Sequence, residues 1–271
     1  MPPVFSLAHL TLLDLPPAEL IAVAARVGYQ QVGLRLLPAA SGGAAYPLMR
    51  DAPALQGTLA RMRDTGVGVF DLEIVRLGAG FRASEFLPFF EVGAWLGAKA
   101  MLVAGDDPNE ARLTASFAAL CEASAPFGLS ADLEFMPWTK VPDARTALRI
   151  VTGAGQANGG VLVDALHFAR SGTSLADIAA IPRHRMHYTQ ICDAPAEMPT
   201  TTEGLIHTAR CERLLPGEGG IDLTGLFTTL AKDLPISVEI PNDKRARLLG
   251  AEEWARQALH ASKNILSRLG P

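Results

Sequence analysis

Eight times along this chain a short β-branched or aliphatic run gives way to a longer stretch with apolar residues spaced 3.6 apart. The runs are Val4–His9, Gln31–Leu36, Val67–Glu73, Lys99–Gly105, Leu129–Glu134, Gly160–Asp164, Met186–Cys192 and Ile236–Ile240. Leu20, Val23, Ala24 and Val27, or Phe117, Leu120 and Cys121, show the helical spacing between them. Strand alternating with helix is the pattern of a parallel sheet. Eight such units in 271 residues predict one domain, residues 1–271, closed as a (β/α)8 TIM barrel of class α/β. A doubly wound open sheet shares the alternation, but its phosphate-binding glycines follow the first strand, and Ala8-His9-Leu10-Thr11 has none.

Punctuation agrees with the repeat. Gly28 and Gly66 follow helical runs, where a residue past the helix end often needs positive φ. Asp106-Asp107-Pro108 and Val141-Pro142-Asp143 stand where loops turn into helices. The connection Asp193–Ile221 is the longest and holds Pro199, Pro216 and Gly217-Glu218-Gly219-Gly220, which predicts a functional mouth loop.

Charge and cysteine usage narrow the partners. Lys plus Arg number 24 against 28 for Asp plus Glu, with no basic block, so nucleic acid is not an expected partner. Cys121, Cys192 and Cys211 lack CxxC spacing, which suggests neither a disulfide framework nor a thiolate zinc site. No apolar run reaches the roughly 20 residues that span a bilayer, and no basic region precedes an apolar stretch at the start. The expectation is a cytoplasmic protein with no membrane partner, able to form a homo-oligomer.

In a barrel of this kind the chemistry sits at the carboxyl ends of the strands. The fifth to eighth strands each end in an oxygen donor within an apolar run: Glu134, Asp164, Gln190 and Glu239. Taken singly, each can cap a helix or pair with an arginine. Together, buried carboxylates on one rim repel one another unless a cation lies between them. Oxygen-only ligation points to one hard divalent ion, Mn2+ or Mg2+, with Co2+ or Zn2+ as alternatives.

The strings Leu-Glu-Phe-Met-Pro, Asp-Ala-Leu-His, Gln-Ile-Cys-Asp-Ala and Val-Glu-Ile-Pro, in this order and register, resemble the sugar phosphate isomerase/epimerase family with its xylose-isomerase-like barrel. The resemblance covers essentially the whole chain, and only the joint order of these short strings is specific. It implies a metal held by Glu134, Asp164, the seventh-strand residue and Glu239. Gln190 stands where a histidine is commoner, which tilts the choice toward Mg2+ or Mn2+ and leaves Asp193 or a water as an alternative ligand. It also implies that His167, three residues after Asp164, touches a substrate oxygen; packing in the first turn of a helix is the alternative.

Other mouth residues have two readings each. His9 ends the first strand and either lines the mouth or is structural. Glu73 hydrogen-bonds a hydroxyl or pairs with Arg76 or Arg35. Arg210 and Arg213 precede a Pro-Gly-x-Gly turn like the family's, and either can grip an anion or stay solvated. Phe135 and Trp138 pack on a substrate or on the rim.

The resulting expectation is an isomerase or epimerase of a small polyhydroxylated substrate, a sugar, keto-sugar or cyclitol. The metal stabilises an enediolate, and Glu134 and Glu239 remove and return the proton. The alternative is a lyase of the dehydroshikimate dehydratase kind, expelling a β-hydroxyl from the same enolate. A zinc endonuclease resembles the barrel but needs more histidines than the six present, of which His184 and His260 lie away from the mouth.

Overall fold

The computed structural model describes residues 3–269. Its eight strands are β1 (Phe5–Leu7), β2 (Gln31–Arg35), β3 (Gly68–Leu77), β4 (Ala100–Gly105), β5 (Ser130–Glu134), β6 (Gly159–Asp164), β7 (Thr189–Ile191) and β8 (Ile236–Val238). Each pairs in parallel with the next, and β8 pairs with β1. The sheet is therefore the closed barrel expected from the alternation. Helices end where glycine permits a left-handed residue, at Gly28 with φ 96° and Gly66 with φ 73°. Asp143 caps the helix Ala144–Ala154 by accepting from Thr146 N at 2.8 Å. No helix among the described residues is long and apolar enough to cross a membrane.

Two apolar clusters divide the interior. The larger fills the shell between strands and helices; the smaller, with Phe70, Leu102, Leu162 and Tyr188, fills part of the lumen. The rest of the lumen is polar. Gln190, Ser237 and Ser6 are lateral neighbours on β7, β8 and β1, all buried, and their side-chain polar atoms have no protein partner.

The seventh and eighth strands are shorter than the expected Met186–Cys192 and Ile236–Ile240, and three further elements differ at the mouth. The strand predicted to run to His9 stops at Leu7, and His9 opens a 3-10 turn, His9–Leu12. The cause is its imidazole: Nδ1 accepts from Arg35 N at 2.9 Å, and Nε2 lies 2.9 Å from Leu15 O, so the ring ties β2 to the following turn. β3 extends four residues past Glu73, because a register shift between Leu72 and Val75 carries it on beside β4. The connection 193–221 is not one loop. It contains the helix Thr202–Cys211, and Asp193 at its start forms an antiparallel bridge with Leu214 just after that helix.

Candidate metal centre and active site

Strand register assembles the rim. Glu134 closes β5 opposite Leu162 of β6, Asp164 closes β6 opposite Gln190 of β7, and Glu239 follows Val238 directly after β8. All four are buried. Asp164 also caps the helix Ala165–Arg170, its Oδ1 accepting from Leu166 N at 2.7 Å and His167 N at 3.1 Å. That cap turns the chain so that His167 Nε2 lies 3.8 Å from Glu134 Oε1, with the ring edge-on to Trp138. Donor atoms of Glu134, Asp164 and His167 all lie within 4.8 Å of one another, a group able to hold a metal ion.

Arg213 occupies the middle of this rim. Its Nη1 donates to Asp164 Oδ2 at 2.6 Å, its Nη2 lies 2.9 Å from Glu239 Oε2, and its Nε donates to Ala209 O at 2.8 Å. Fully buried and paired on every side, it is not free to grip an external anion. The expectation for Arg213 as an anion binder is corrected: it is the internal counter-ion of Asp164 and Glu239.

Burial and this arginine set the charges. Burial works to raise Asp164, but Arg213, His167 and the capping N–H groups outweigh it and hold the carboxyl below its usual range. Glu134 is pushed well above the usual carboxylate range by burial and by the charges of Asp164 and Glu239. Glu239 is raised by burial to about 7, with Arg213 opposing. Burial lowers His167 to about 4, so its imidazole is neutral.

A divalent cation fits this donor set. Glu134 and Glu239 are carboxyls that burial alone would keep protonated, and both amide atoms of Gln190 are buried and unpartnered. Arg213 pairs with Asp164 and Glu239 and offsets only part of the negative charge of this acid cluster.

The remaining expected residues separate by their partners. His9 is corrected as a substrate contact: it is buried, both nitrogens are engaged, and it stacks on Tyr46 with centroids 5.0 Å apart. Glu73 binds Arg35 through Oε2 at 2.5 Å, while its Oε1 is buried and unpartnered. Asp193, the alternative ligand, accepts from the backbone N–H groups of Gly217, Gly219 and Ile221 instead. Arg210 lines the mouth with no partner among the described residues. Asp71 and Asp132, two positions before Glu73 and Glu134, are further buried acids that sequence reasoning missed. The i, i+2 spacing of acids along one strand face was the available signal. Asp132 pairs with His187 Nδ1 at 2.6 Å, whereas neither oxygen of Asp71 has a partner.

Comparison with known proteins places this site in context. A 3-dehydroshikimate dehydratase of Pseudomonas aeruginosa is 30% identical over 175 residues, 62% of this chain and 27% of that protein. An inosose isomerase of Bacillus licheniformis is 30% identical over 156 residues, 55% of this chain and 53% of that protein. The chain thus spans about a quarter to a half of the length of these relatives. In fold it is similar to an IolI protein with a bound zinc atom, at TM-score 0.80 and 20% identity, covering 98% of this chain and 99% of that one. A family profile described as xylose isomerase-like TIM barrel matches residues 21–265, and the chain belongs to that family.

Proposed function

We propose that this protein is a divalent-metal-dependent isomerase or epimerase that moves a proton next to the carbonyl of a small polyhydroxylated ketone. The observation that carries the reading is the rim itself: buried Glu134, Asp164 and a neutral His167 with donor atoms within 4.8 Å of one another, Glu239 joined to Asp164 through Arg213, and Gln190 unpartnered beside Asp164. Glu134, Asp164, Gln190 and Glu239 are the proposed ligands, with His167 in reach of the same space. When bound, a divalent cation of the Mn2+ or Mg2+ type stabilises the negative charge that develops on the carbonyl oxygen as the proton leaves.

The side chains supply the rest. Glu239, raised to about 7, is poised near neutrality to take or give a proton. Glu134 stands across the rim on β5 and serves the other face. Arg213 fixes the Glu239 carboxylate through Oε2 and leaves Oε1 for the substrate. His167 Nδ1 is buried and unpartnered, available to a substrate hydroxyl. Trp138, packed edge-on against His167, keeps water from that side.

A second reading, elimination of a β-hydroxyl after the same proton abstraction, is favoured by the similarity to a 3-dehydroshikimate dehydratase over 62% of the chain. One experiment tests both. The Mn2+-loaded protein is incubated in deuterated water with ketoses, inosose-type cyclitols and 3-dehydroshikimate. Deuterium entering the α-carbon without loss of water is the expected result; loss of water selects the second reading. No exchange and no product from any member of the panel refutes the proposal.

A further inference from the structure

Resting on the enolisation reading above, we infer that the substrate carries a carboxylate, held by Arg210 at the doorway between the catalytic pocket and a larger outer cleft. Arg210 lies in the last turn of the helix Thr202–Cys211, partly buried, and makes no hydrogen bond or ion pair with any described residue. The other arginines of the mouth are all paired: Arg35 with Glu73, Arg76 with Asp106, and Arg213 with Asp164 and Glu239. A guanidinium cannot shed its charge, so a partly buried one without a partner is costly unless a ligand completes it. Burial foremost, with the nearby Arg76 and Arg35, lowers the pKa of Arg210.

Position gives this unpaired charge a role. Arg210 lines a catalytic pocket of about 40 Å³ together with Glu134, His167 and Glu239. It also lines an adjoining cleft of about 380 Å³ that runs outward between the 10–15 turn and Pro241–Ala251. Leu10, Arg35 and Ala39 border both spaces beside it. A substrate enolised between Glu134 and Glu239 therefore presents its next substituent to Arg210. Anything longer enters a cleft walled by Leu13, Leu15, Ala40 and Pro241.

Charge selects the kind of anion. With Arg35 and Arg76 already neutralised, Arg210 supplies one net positive charge, which matches a carboxylate in charge and in planar two-point geometry. A phosphate ester carries about −1.5 to −2 at neutral pH and would leave negative charge uncompensated beside Glu134 and Glu239. The substrate class is a hydroxylated keto acid.

Calorimetric titration of the Mn2+-loaded full chain with 3-dehydroshikimate, its methyl ester and a ketose phosphate tests this. The acid should bind at least about tenfold more tightly than the ester, as expected for a lost charge-assisted pair. In Arg210→Gln with unchanged Mn2+ stoichiometry, acid and ester should bind alike, and Arg210→Lys should keep part of the preference. Equal binding of acid and ester by the wild type, binding of neither, or tighter binding of the ketose phosphate overturns the assignment. Deuterium exchange into a neutral inosose checks enolisation separately. Exchange there with an acid-to-ester ratio near one removes the carboxylate and keeps enolisation; a preserved ratio with no exchange on any substrate does the reverse.

Discussion

Glu134 and Glu239 line one cavity, and burial raises the pKa of both, so protons stand in for a cation when none is bound. Cation binding must displace those protons, because only the ionised carboxylates are ligands. The sign follows: Mn2+ affinity should rise with pH through about 7, where Glu239 ionises, and keep rising for as long as Glu134 still has a proton to lose. Calorimetry in buffers of differing ionisation enthalpy should show about one to two protons released per ion near neutral pH. Affinity that does not change with pH would contradict the placement of the ion among these carboxyls. Residue types here were legible in the sequence, but their pairings were not. Arg210 and Arg213 are three apart in one string, and only the fold shows that one is enclosed by Asp164 and Glu239 while the other faces the mouth unpaired. His9 likewise reads as a mouth residue until the structure puts Arg35 N and Leu15 O against its two nitrogens.

At the scale of elements, the glycine-rich part of the segment after β7 wraps around one buried carboxylate. Asp193 accepts from Gly217 N at 2.9 Å, Gly219 N at 3.0 Å and Ile221 N at 3.1 Å, and a Cβ at Gly219 would collide with Ala194 O. The glycines serve this wrapping around Asp193, which the sequence expectation of a functional mouth loop did not capture, since backbone donors carry no signature in side-chain identity. Asp193→Ala leaves several backbone N–H groups without an acceptor and should cost about 2–3 kcal/mol of stability. Asp193→Asn, keeping an acceptor, should lie between. Limited proteolysis distinguishes the two parts of the segment. Residues 195–201, where Met198 is 54% exposed, should be cut in the wild type, while 215–221 should resist until Asp193 is replaced. Cleavage in 215–221 of the wild type at an equal rate would refute the latch.

For the whole molecule, closure of the barrel was legible because it rests on a local pattern repeated eight times, and each repeat needs only its own strand and helix periodicity. The strand ends bearing Glu134, Asp164, Gln190 and Glu239 were legible for the same reason: polar residues in apolar strands are visible without the fold. The polar lumen was not, because Ser6, Gln190 and Ser237 meet only after β8 has closed on β1. What the barrel accomplishes is to bring carboxylates from non-adjacent strands to opposite sides of one small cavity, and the claim that Glu134 and Glu239 are its proton-transfer pair is tested most directly by replacement with glutamine. Glu134→Gln and Glu239→Gln each keep an oxygen donor for the metal and lose the base. At saturating Mn2+, with occupancy verified by elemental analysis, each should lower turnover by about 10²–10⁴-fold. Turnover near the wild-type rate in both metal-saturated variants would contradict the assignment and make His167 the leading candidate for the base.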